Sequence, residues 1–553
     1  MLLKNVLPTN FLLYYVQFGK FPRQMKVVTI LKIRKSCFLL LFAHSANVRD
    51  SHLKIKGILY MTNFTISPHH EGRNAEINPS ETIIWGPGLR PDKVTMRARY
   101  IFLQFIDLQG KNLTESPGKD IITVSIQGQT STGHMCHIWT QILDCKDGSF
   151  IVRYKLHNTC FNFKLKIKMK HNNLPILLVE SKGPVYEEEC YCPNSSINSW
   201  LENLGCSKSY KQMQDDLAPF PNVDFDKMRE SIVKTYDRPG SVSLCHYVIQ
   251  SNKIFRECHG RYVGFKIFMD SILLSLTRKV LLPDIEFFVN LGDWPLVPKE
   301  GKNYPIFSWC GSFDTKDIVI PTYDITESSL EEMGRVMLDM LSIQGNTDTP
   351  WKEKIEKVFW RGRDSRRERL DLIDISRKYP DLFNVAITNF FFFKDEMDKY
   401  GPEQSHVSFF HFFKYKYQLC IDGTVAAYRL PYLLAGDALL LKQESKYYEF
   451  FYNNLVPGKH YISVKRDLSD LVEKIMWAKE HDQKVLQIVK SARQFARDNL
   501  LPDNVLCYHV VLFHEWSKRL KSKVKVLDNM EEVLQPKHSC KCYNADGKLK
   551  EEL

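Results

Sequence analysis

Residues 283–295 are Pro-Asp-Ile-Glu-Phe-Phe-Val-Asn-Leu-Gly-Asp-Trp-Pro, a near-continuous apolar run followed by turn residues. The run predicts a strand at 285–291, and the turn carries Gly292, Asp293 and Trp294. Ligands of open α/β sheets bind beyond the carboxyl ends of strands, which is where this aspartate stands. Partial desolvation beside the indole would raise its pKa and suit a general base. The alternative is an aspartate that only caps the turn.

A second stretch, residues 359–369, is Phe-Trp-Arg-Gly-Arg-Asp-Ser-Arg-Arg-Glu-Arg and holds five arginines. It follows a predicted strand at 357–361 and precedes an amphipathic helix. A strand–glycine–helix junction directs backbone N–H groups at an anion, and arginine matches phosphate oxygens with two donors. We therefore predict a diphosphate site. The alternatives are a solvated basic face or a nuclear-targeting run.

A third stretch, residues 421–431, is Ile-Asp-Gly-Thr-Val-Ala-Ala-Tyr-Arg-Leu-Pro. Small residues around Gly423 would let the backbone approach a ligand closely, and Arg429 could meet a phosphate. The alternative is that they serve packing at a helix start. Neither the dinucleotide-binding glycine fingerprint nor a P-loop accompanies this stretch.

Composition bounds the class of protein. The chain has 553 residues, which at roughly 100–200 residues per domain predicts about two to four domains. With 44% hydrophobic and 25% charged residues it is neither disordered nor fibrous. An apolar run of about 18 residues is absent, so we expect no membrane-spanning helix. The net charge of +12 would suit nucleic acid, an anionic membrane or a phosphorylated small molecule.

The pattern of apolar residues predicts two kinds of structure along the chain. Residues 80–183 indicate an immunoglobulin-like β-sandwich, because short β-rich runs alternate with turn residues. Residues 184–222 form a Cys-rich linker, and 223–520 show the α/β pattern, expected as two lobes with a cleft between them. The predicted strands are 94–105, 121–126, 135–143, 149–156, 161–169, 285–291, 318–320, 357–361 and 438–441. The predicted helices are 265–279, 328–341, 467–480 and 483–499.

Both ends of the chain carry targeting signals. Residues 1–46 form a leader region, with a signal-peptide pattern that starts at Met25. Residues 521–553 form a charged tail that ends in Lys-Glu-Glu-Leu, which resembles the retention tetrapeptide of the endoplasmic reticulum. We therefore expect a protein of the reticulum lumen, with a KDEL receptor as one partner and N-glycosylation at the sequons of Asn63, Asn112 and Asn194.

Cysteine spacing follows the same expectation. In an oxidising lumen the closely spaced cysteines become predicted disulfide formers; they are Cys190, Cys192, Cys206, Cys540 and Cys542. Zinc is the alternative for pairs separated by one residue, although four ligands at ordinary spacing are not evident.

Two further patterns are interpreted as structural. Asp224 and Asp226 have the spacing of a metal–nucleotide motif, but they precede a helical stretch and are better explained as an N-cap pair. The aromatic residues at 390–393 and 409–417 suggest base stacking, yet core packing explains them better, because the sequence shows no electrostatic groove. We accordingly expect neither a metal nor a nucleic-acid partner.

Long strings in the same order resemble the protein O-glucosyltransferases, and in particular the branch with a KDEL-like motif. They are NLGDWPL (290–296), SWCGS (308–312), PTYDIT (321–326), WRGRDSRRERL (360–370), NFFFF (389–393), DGTVAAYRLPYLLAGD (422–437) and KHYISVKRDLSDL (459–471). The branch has an N-terminal filamin-type immunoglobulin-like repeat, resembled here by WGPGL (85–89), KDGSFIVRY (146–154) and KGPVY (182–186).

The resemblance implies a GT-B glycosyltransferase with two Rossmann-like lobes, which uses UDP-glucose as donor without a metal. The family attaches glucose, with inversion, to serine on folded EGF-like repeats of Notch-type and fibrillin-type proteins. Two alternatives stay open: a luminal binding protein or chaperone for EGF-repeat clients, and a transferase that prefers UDP-xylose.

The resemblance also implies roles for single residues. Asp293 matches the catalytic base of the family. The donor-side positions follow the motifs and are Asp317, Ile318, Val319, Ile320, Pro321, Arg361, Gly362, Arg363, Arg369, Val425, Ala426, Ala427 and Arg429. The acceptor-side positions are Tyr262, Val263, Gly264, Phe265, Lys266 and Trp294. The chain departs from its relatives at His411, where they usually have Asp, and at Cys420, which replaces a polar residue.

Overall fold

The computed structural model describes residues 77–170, 174–237, 243–331, 340–347, 349–543 and 549, all within one compact unit at 71–553. The predicted leader, the Asn63 sequon and the terminal tetrapeptide lie outside the described residues. Within the described part of the chain, no helix has both the length and the apolar character that crossing a bilayer requires.

Strands in the N-terminal part form two antiparallel sheets. They are β1 (Ile83–Trp85), β2 (Arg99–Gln104), β3 (Ile122–Gln129), β4 (Ile138–Asp144), β5 (Ser149–Leu156), β6 (Phe161–Met169) and β7 (Pro175–Ser181). One sheet has the order β1-β2-β5-β4, and the other has the order β3-β6-β7. This division of the strands is that of a constant-type immunoglobulin sandwich.

The two sheets of the sandwich enclose a common core. Leu103 in β2, Val152 in β5 and Leu165 in β6 are fully buried in it. The five predicted strands are all present, whereas β1 and β7 escaped prediction. Strand β1 has three residues, and β7 is an edge strand that starts with proline, so neither has a strong alternating pattern.

The first α/β lobe contains a mixed sheet of six strands. They are β8 (Leu244–Gln250), β9 (Lys253–His259), β10 (Ile285–Asn290), β11 (Ile306–Ser308), β13 (Ile318–Val319) and β20 (Glu531–Glu532). The order is β13-β11-β10-β8-β9-β20, and only β10, β11 and β13 run parallel. The sheet departs from the predicted Rossmann-like pattern because β8 and β9 form a hairpin. Its turn is Ser251-Asn252, both with positive φ, as a two-residue type I′ turn requires.

The second lobe contains a fully parallel sheet. Its strands are β14 (Ile355–Arg363), β15 (Phe383–Asn389), β16 (Tyr415–Cys420), β17 (Leu439–Gln443) and β19 (Ile462–Val464). The order is β15-β14-β16-β17-β19, which numbered within the lobe is 2-1-3-4-5. This is a doubly wound sheet, and its topological switch point lies between β14 and β16. A two-residue pairing of β12 (Gly311–Ser312) with β18 (Tyr447–Tyr448) joins the two lobes.

Helices cover both sheets. They are α1 (Ile197–Leu204), α2 (Lys211–Leu217), α3 (Phe225–Tyr236), α4 (Lys266–Lys279), α5 (Tyr323–Leu330), α6 (Met340–Gln344), α7 (Arg367–Lys378), α8 (Met397–Tyr400), α9 (Phe409–Phe412), α10 (Leu430–Ala435), α11 (Leu471–Glu480), α12 (Asp482–Asn499) and α13 (Pro502–Ser517). The predicted helix at 328–341 is wrong at its start and its end. Helix α5 begins five residues earlier and ends where Glu331 takes a left-handed φ of 54°.

The chain returns from the second lobe to the first through its last helices. Helix α11 and the first half of α12 pack in the core of the second lobe. Helix α13 lies on the first lobe, where Trp516 donates to the Glu286 carbonyl at 2.8 Å and Tyr508 to the Val319 carbonyl at 3.0 Å. Helices α11 to α13 therefore connect the core of the second lobe to the sheet of the first.

The sandwich packs directly on these last helices. The Tyr100 hydroxyl donates to Asp503 Oδ1 at 2.5 Å, and Arg493 Nη1 donates to Asp147 Oδ2 at 3.1 Å. Phe102 and Tyr100 belong to the same buried core as α13. The sandwich therefore shares a core with the α/β region and is not a loosely attached module.

Five disulfides form among the described cysteines. They are Cys136–Cys160, Cys190–Cys540, Cys192–Cys542, Cys206–Cys507 and Cys245–Cys258. Every cysteine that the spacing singled out is bonded, as predicted. Two of the bonds fasten the segment after α13 to the Cys-rich linker.

Cys540→Ser combined with Cys542→Ser should release that C-terminal segment. Because each bond closes a separation of 350 residues, we expect a loss of about 2–4 kcal/mol of stability and faster tryptic cleavage after Lys537 and Lys541. Cleavage is followed by mass spectrometry, with Cys136→Ser combined with Cys160→Ser as the matched control within the sandwich. A segment as resistant as in the wild type would contradict the tethering role.

Candidate active site

The three predicted stretches converge between the lobes. In a doubly wound sheet the crossovers leave the switch point in opposite directions and open a crevice beyond the carboxyl ends of the strands. Strand β14 ends at Arg363 and β16 at Cys420, so the second stretch (359–369) and the third stretch (421–431) both reach this crevice. Strand β10 of the first lobe ends at Asn290, three residues before Asp293.

The Arg369 side chain joins the second stretch (359–369) to the third stretch (421–431). Its Nε donates to the Asp422 carbonyl at 2.7 Å, and Nη2 donates to the Ile421 carbonyl at 3.2 Å. Its Nη1 donates to the Arg363 carbonyl at 2.9 Å. Burial, together with the nearby Arg429 charge, lowers its pKa to about 9. The Arg369 side chain therefore fixes the loop after β16 against the loop after β14.

Gly362 makes room for this arrangement. A Cβ atom there would lie 2.6 Å from a ring carbon of Trp360 and 3.2 Å from Arg369 Nη1. The glycine is thus needed for the close approach of the Trp360 and Arg369 side chains to this turn, a role that the sequence analysis did not assign to it.

The Asp364 carboxylate holds the loop after β15 at the end of β14. It accepts the backbone N–H groups of Phe391, Phe392 and Phe393 at 2.9, 2.8 and 2.6 Å, and the residue is fully buried. The Phe391 and Phe392 side chains are exposed, so the prediction that this aromatic run packs in the core is wrong for these two residues. The Asp364 carboxylate holds their backbone in place, and apolar packing does not.

The other arginines of the cluster have different surroundings. Arg361 donates to the Asn384 carbonyl at 2.9 Å and to its side-chain oxygen at 2.7 Å. Arg366 donates to the Gly423 and Thr424 carbonyls. Arg367 forms an exposed ion pair with Glu396. Arg363 is exposed, and no hydrogen bond or ion pair of its side chain forms within the described part of the chain.

Arg429 also lies at this crevice. Its Nη1 donates to the Arg361 carbonyl at 2.5 Å, and the residue immediately precedes α10. Val425, Ala426 and Ala427 are buried beside it, so their small side chains permit close packing under the loop.

Asp293 lies at the junction of the lobes, half-buried. The Tyr323 hydroxyl donates to its Oδ1 at 3.4 Å. Its backbone carbonyl accepts from the Cys310 thiol at 3.2 Å in the first lobe and from the Tyr428 hydroxyl at 3.5 Å in the second. Burial raises the pKa of the Asp293 carboxyl, although the Tyr323 hydrogen bond and the Arg363 charge oppose that rise. A carboxylate with a raised pKa can accept a proton from a neutral hydroxyl.

The loop that carries Asp293 is held by buried polar groups. Asn290 Nδ2 donates to the Trp294 carbonyl at 2.6 Å, and its Oδ1 accepts the Gly292 N–H at 2.9 Å. Asp317 accepts the backbone N–H groups of Leu296 and Val297 at 2.7 and 2.8 Å, and burial raises its pKa to about 6. Asp317 therefore shapes the Asp293 loop.

The rest of the predicted segment 318–321 is internal. Ile318, Val319, Ile320 and Pro321 are all buried. Val319 receives the Tyr508 hydroxyl on its carbonyl and donates its N–H to Asp216. These residues fix α5, which follows them.

The predicted acceptor side forms an exposed apolar surface next to Asp293. Tyr262, Phe265 and Trp294 are 70, 41 and 48% exposed, which is high for aromatic side chains. The Phe265 ring lies 4.7 Å from the Tyr323 ring, which in turn reaches Asp293. Val263, Gly264 and Lys266 complete the turn into α4.

The described residues include a cavity of about 870 Å³ that none of the predicted site residues line. It is lined by residues of α2, of the first-lobe loops, of β17 and of the segment after β17, among them Lys442 and Tyr448. Tyr447 and Tyr448 of β18 line this cavity, and their partner strand β12 directly follows Cys310, whose thiol donates to the Asp293 carbonyl. A Cβ at Gly311 would lie 2.5 Å from the Tyr448 ring, so glycine allows this close pairing.

The Asp224 and Asp226 side chains form ion pairs with lysine side chains. Asp224 is the N-cap residue of α3 and pairs with Lys227 at 2.8 Å, and Asp226 pairs with Lys525 at 2.9 Å. Groups of three metal-ligating side chains among the described residues occur only at Cys190, Cys192 and Cys540 and at Glu187, His538 and Cys540. Their cysteines are already joined in disulfides.

Comparison with known proteins now adds to this geometry. The model of glycosyl transferase family 90 matches residues 201–552. Protein O-glucosyltransferase 2 of Danio rerio is 50% identical over 86% of this chain and 94% of its own length. The chain belongs to the protein O-glucosyltransferases of glycosyl transferase family 90. Human protein O-glucosyltransferase 3 is 44% identical over 84% of this chain and 93% of its own length, and human protein O-glucosyltransferase 1 is 29% identical over 61% and 88%.

Membership of this family makes the chain a glycosyltransferase with protein substrates. Sequence reasoning had found Asp293 and the arginine cluster but missed Tyr323, Tyr428, Cys310 and Asn290, all of which contact the Asp293 loop. All four stood inside the strings that resemble the family, where a polar residue within an apolar context was the available signal.

His411 lies against the strand that begins the basic stretch. Its ring centroid is 5.5 Å from that of Phe359, whose ring also lies under the Arg361 guanidinium at 4.5 Å. Partial burial and the Lys414 and Arg361 charges lower the pKa of His411. The lowered pKa favours the neutral form of the His411 imidazole beside Arg361. Cys420, at the end of β16, is buried with a free thiol.

Proposed function

We propose that this glucosyltransferase moves glucose from UDP-glucose to a serine hydroxyl on folded EGF-like repeats, with inversion at the anomeric carbon. One observation carries the proposal: Asp293 of the first lobe lies near enough to Arg363, at the carboxyl end of β14 in the second lobe, for that positive charge to lower its pKa. A base and a cationic, hydrogen-bond-rich edge thereby stand on opposite sides of one crevice.

The proposed reaction is a single displacement. Asp293 removes the proton of the acceptor serine while the serine oxygen attacks the anomeric carbon. The bond from that carbon to the β-phosphate oxygen breaks, and UDP departs with the electron pair. One displacement on one face inverts the configuration of the sugar. The charge that develops on the diphosphate is offset by Arg363, with the positive end of the α7 dipole as a further contribution.

The same residues support the absence of a metal from the proposed reaction. Metal-dependent transferases use a cation to neutralise the diphosphate, a role that arginine and backbone N–H groups can take. We also assign the two-lobed region to the GT-B class and the sandwich to the filamin type. We propose that the donor-side residues Arg361, Arg369 and Arg429 and the buried segments 317–321 and 425–427 act by holding the loops of the crevice in place.

The exposed aromatic surface supports a protein acceptor. Tyr262, Phe265 and Trp294 lie beside the proposed base, and aromatic side chains are enriched where proteins bind one another. Five disulfides among the described residues suit an oxidising compartment, and Asn112 is exposed for glycosylation. We therefore place the enzyme in the lumen of the endoplasmic reticulum.

The test incubates the purified chain with a folded EGF-like repeat and either UDP-glucose or UDP-xylose, with and without EDTA, followed by peptide mass analysis. We expect a hexose on serine, in EDTA as well, and little transfer to the same repeat after reduction. A pentose from UDP-xylose in preference would make the chain a xylosyltransferase. Binding of the repeat without transfer of either sugar would favour the chaperone alternative.

A further inference from the structure

Tyr323 stands at the centre of the site, where three structural elements meet. It is the first residue of α5, and its hydroxyl lies 3.4 Å from Asp293 Oδ1. Its ring contacts Phe265 and Phe268 of the α4 segment, with centroids 4.7 and 5.3 Å away. These contacts leave the phenol little freedom to turn, so the direction of its hydroxyl is fixed.

The second lobe also reaches this tyrosine. The Tyr428 ring lies 5.5 Å from the Tyr323 ring, and the Tyr428 hydroxyl reaches the backbone carbonyl of Asp293. Trp309 closes the remaining side at 5.9 Å. The hydroxyl of Tyr323 thus enters from the apolar side of Asp293.

We propose that Tyr323 is a positioning residue for the base: its hydroxyl donates to Asp293 Oδ1, holds the carboxylate in one orientation and keeps it ionised. The inference rests on the proposed function, in which Asp293 removes the proton of the acceptor. One carboxylate oxygen is occupied by the phenol, which leaves the other to accept that proton.

The charged and titratable groups around the pair determine the direction of the effect. Asp293 is faced by Tyr323 from α5, Arg363 from the end of β14, Cys310 from the strand region before β12 and Tyr428 from the segment before α10. Burial raises the pKa of Tyr323, as do the Asp293 and Asp324 charges, so its hydroxyl stays a donor at neutral pH. Asp293 has its pKa raised by burial and lowered by this hydroxyl and by Arg363.

Removal of the hydroxyl therefore raises the pKa of Asp293 further. A base with a higher pKa is protonated over a wider range of acidic pH, so the acid limb of the pH profile moves upward. A hydrogen bond to a charged group contributes about 1.5–3 kcal/mol, which corresponds to at least about tenfold in rate where the base titrates.

The experiment compares Tyr323→Phe with the wild type in pH profiles of kcat/KM for transfer to a folded EGF-like repeat. Phenylalanine keeps the ring contacts with Phe265 and Phe268. We expect kcat/KM to fall roughly tenfold on the acid limb of the profile and less at higher pH, where Asp293 is ionised in both proteins, with an unchanged dissociation constant for UDP. Tyr100→Phe is the matched control, because it also removes a hydroxyl that donates to a buried aspartate, Asp503, far from the site.

The outcomes separate this inference from the proposed function. If Asp293→Asn is inactive but Tyr323→Phe keeps the wild-type pH profile, the positioning role is wrong and the base assignment stands. If Asp293→Asn is fully active, the proposed function fails first. A uniform loss at all pH values in Tyr323→Phe, with a lowered melting temperature, would show a structural role and overturn the inference. An upward shift of the acid limb in Tyr323→Phe alone, and not in Tyr100→Phe, would support it.

Discussion

Asp293→Asn is expected to abolish glucosyl transfer while the protein stays folded and still binds UDP. The amide has nearly the same shape as the carboxylate but cannot accept the proton of the acceptor hydroxyl. General-base catalysis typically contributes about 10²–10⁴-fold, so the turnover number should fall by at least that factor. The loop should keep its shape, because its backbone is held by Asn290 and Asp317, and the Asp293 side chain takes no part in holding it.

The measurement is release of UDP in the presence of a folded EGF-like repeat, together with calorimetric titration of UDP. Asp324→Asn is a useful companion, since Asp324 follows Tyr323 in α5 and also lies near the site without contacting the proposed reacting atoms. Undiminished transfer by Asp293→Asn would remove the base assignment. Loss of UDP binding together with activity would instead point to damage of the crevice.

Arg369→Lys should be the most damaging conservative change in the arginine cluster. The guanidinium directs donors to three carbonyls, those of Arg363, Ile421 and Asp422, which a single ammonium group cannot reproduce. Buried carbonyls left without donors cost about 1–3 kcal/mol each, so a loss of roughly 3 kcal/mol is expected. The loops after β14 and β16 would separate, and UDP affinity would fall at least about tenfold.

Arg367→Lys is the matched control from the same cluster. Arg367 pairs with Glu396 on the surface, and exposed pairs contribute about 0–1 kcal/mol, so melting temperature and UDP affinity should stay near wild type. Thermal unfolding and titration of UDP read out both variants. Equal behaviour of the two lysine variants would mean that Arg369 does not hold the crevice together.

The contrast between these arginines shows where sequence reasoning ended. Five arginines in nine residues predicted an anion site as a group, because charge and spacing are visible in a sequence. The direction of each side chain is not visible. Arg369 and Arg366 bind carbonyls of a loop more than 50 residues away, and Arg367 binds Glu396. Only the fold shows that Arg363 lies near Asp293.

Two strands were predicted in each lobe, 285–291 and 318–320 in the first and 357–361 and 438–441 in the second, and the other strands of both sheets were missed. In the second lobe, apolar runs such as 438–441 lie in parallel strands covered on both faces, which gives a strong signal. The mixed sheet of the first lobe contains the β8–β9 hairpin, whose Cys245 and Cys258 face each other directly and whose turn lacks glycine. Its alternation is weak because most of β8 is buried on both faces.

Asp317 has a structural role that the sequence did not indicate. The family resemblance placed it on the donor side, and the structure gives it two backbone N–H groups and the Ser308 hydroxyl. A buried carboxylate that fixes a loop and one that contacts a ligand have the same sequence signature. The partners that separate the two cases come from a strand nine residues away and from the loop before it.

The short pairing of β12 with β18 has a mechanical consequence. Backbone hydrogen bonds at Gly311 and Ser312 resist sliding of one lobe along the other but resist twisting much less. Motion between the lobes would therefore be a rotation about this seam. Because Tyr447 and Tyr448 of this seam also line the cavity of about 870 Å³, such a rotation would change the shape of that cavity as the crevice beside Asp293 widens to release UDP.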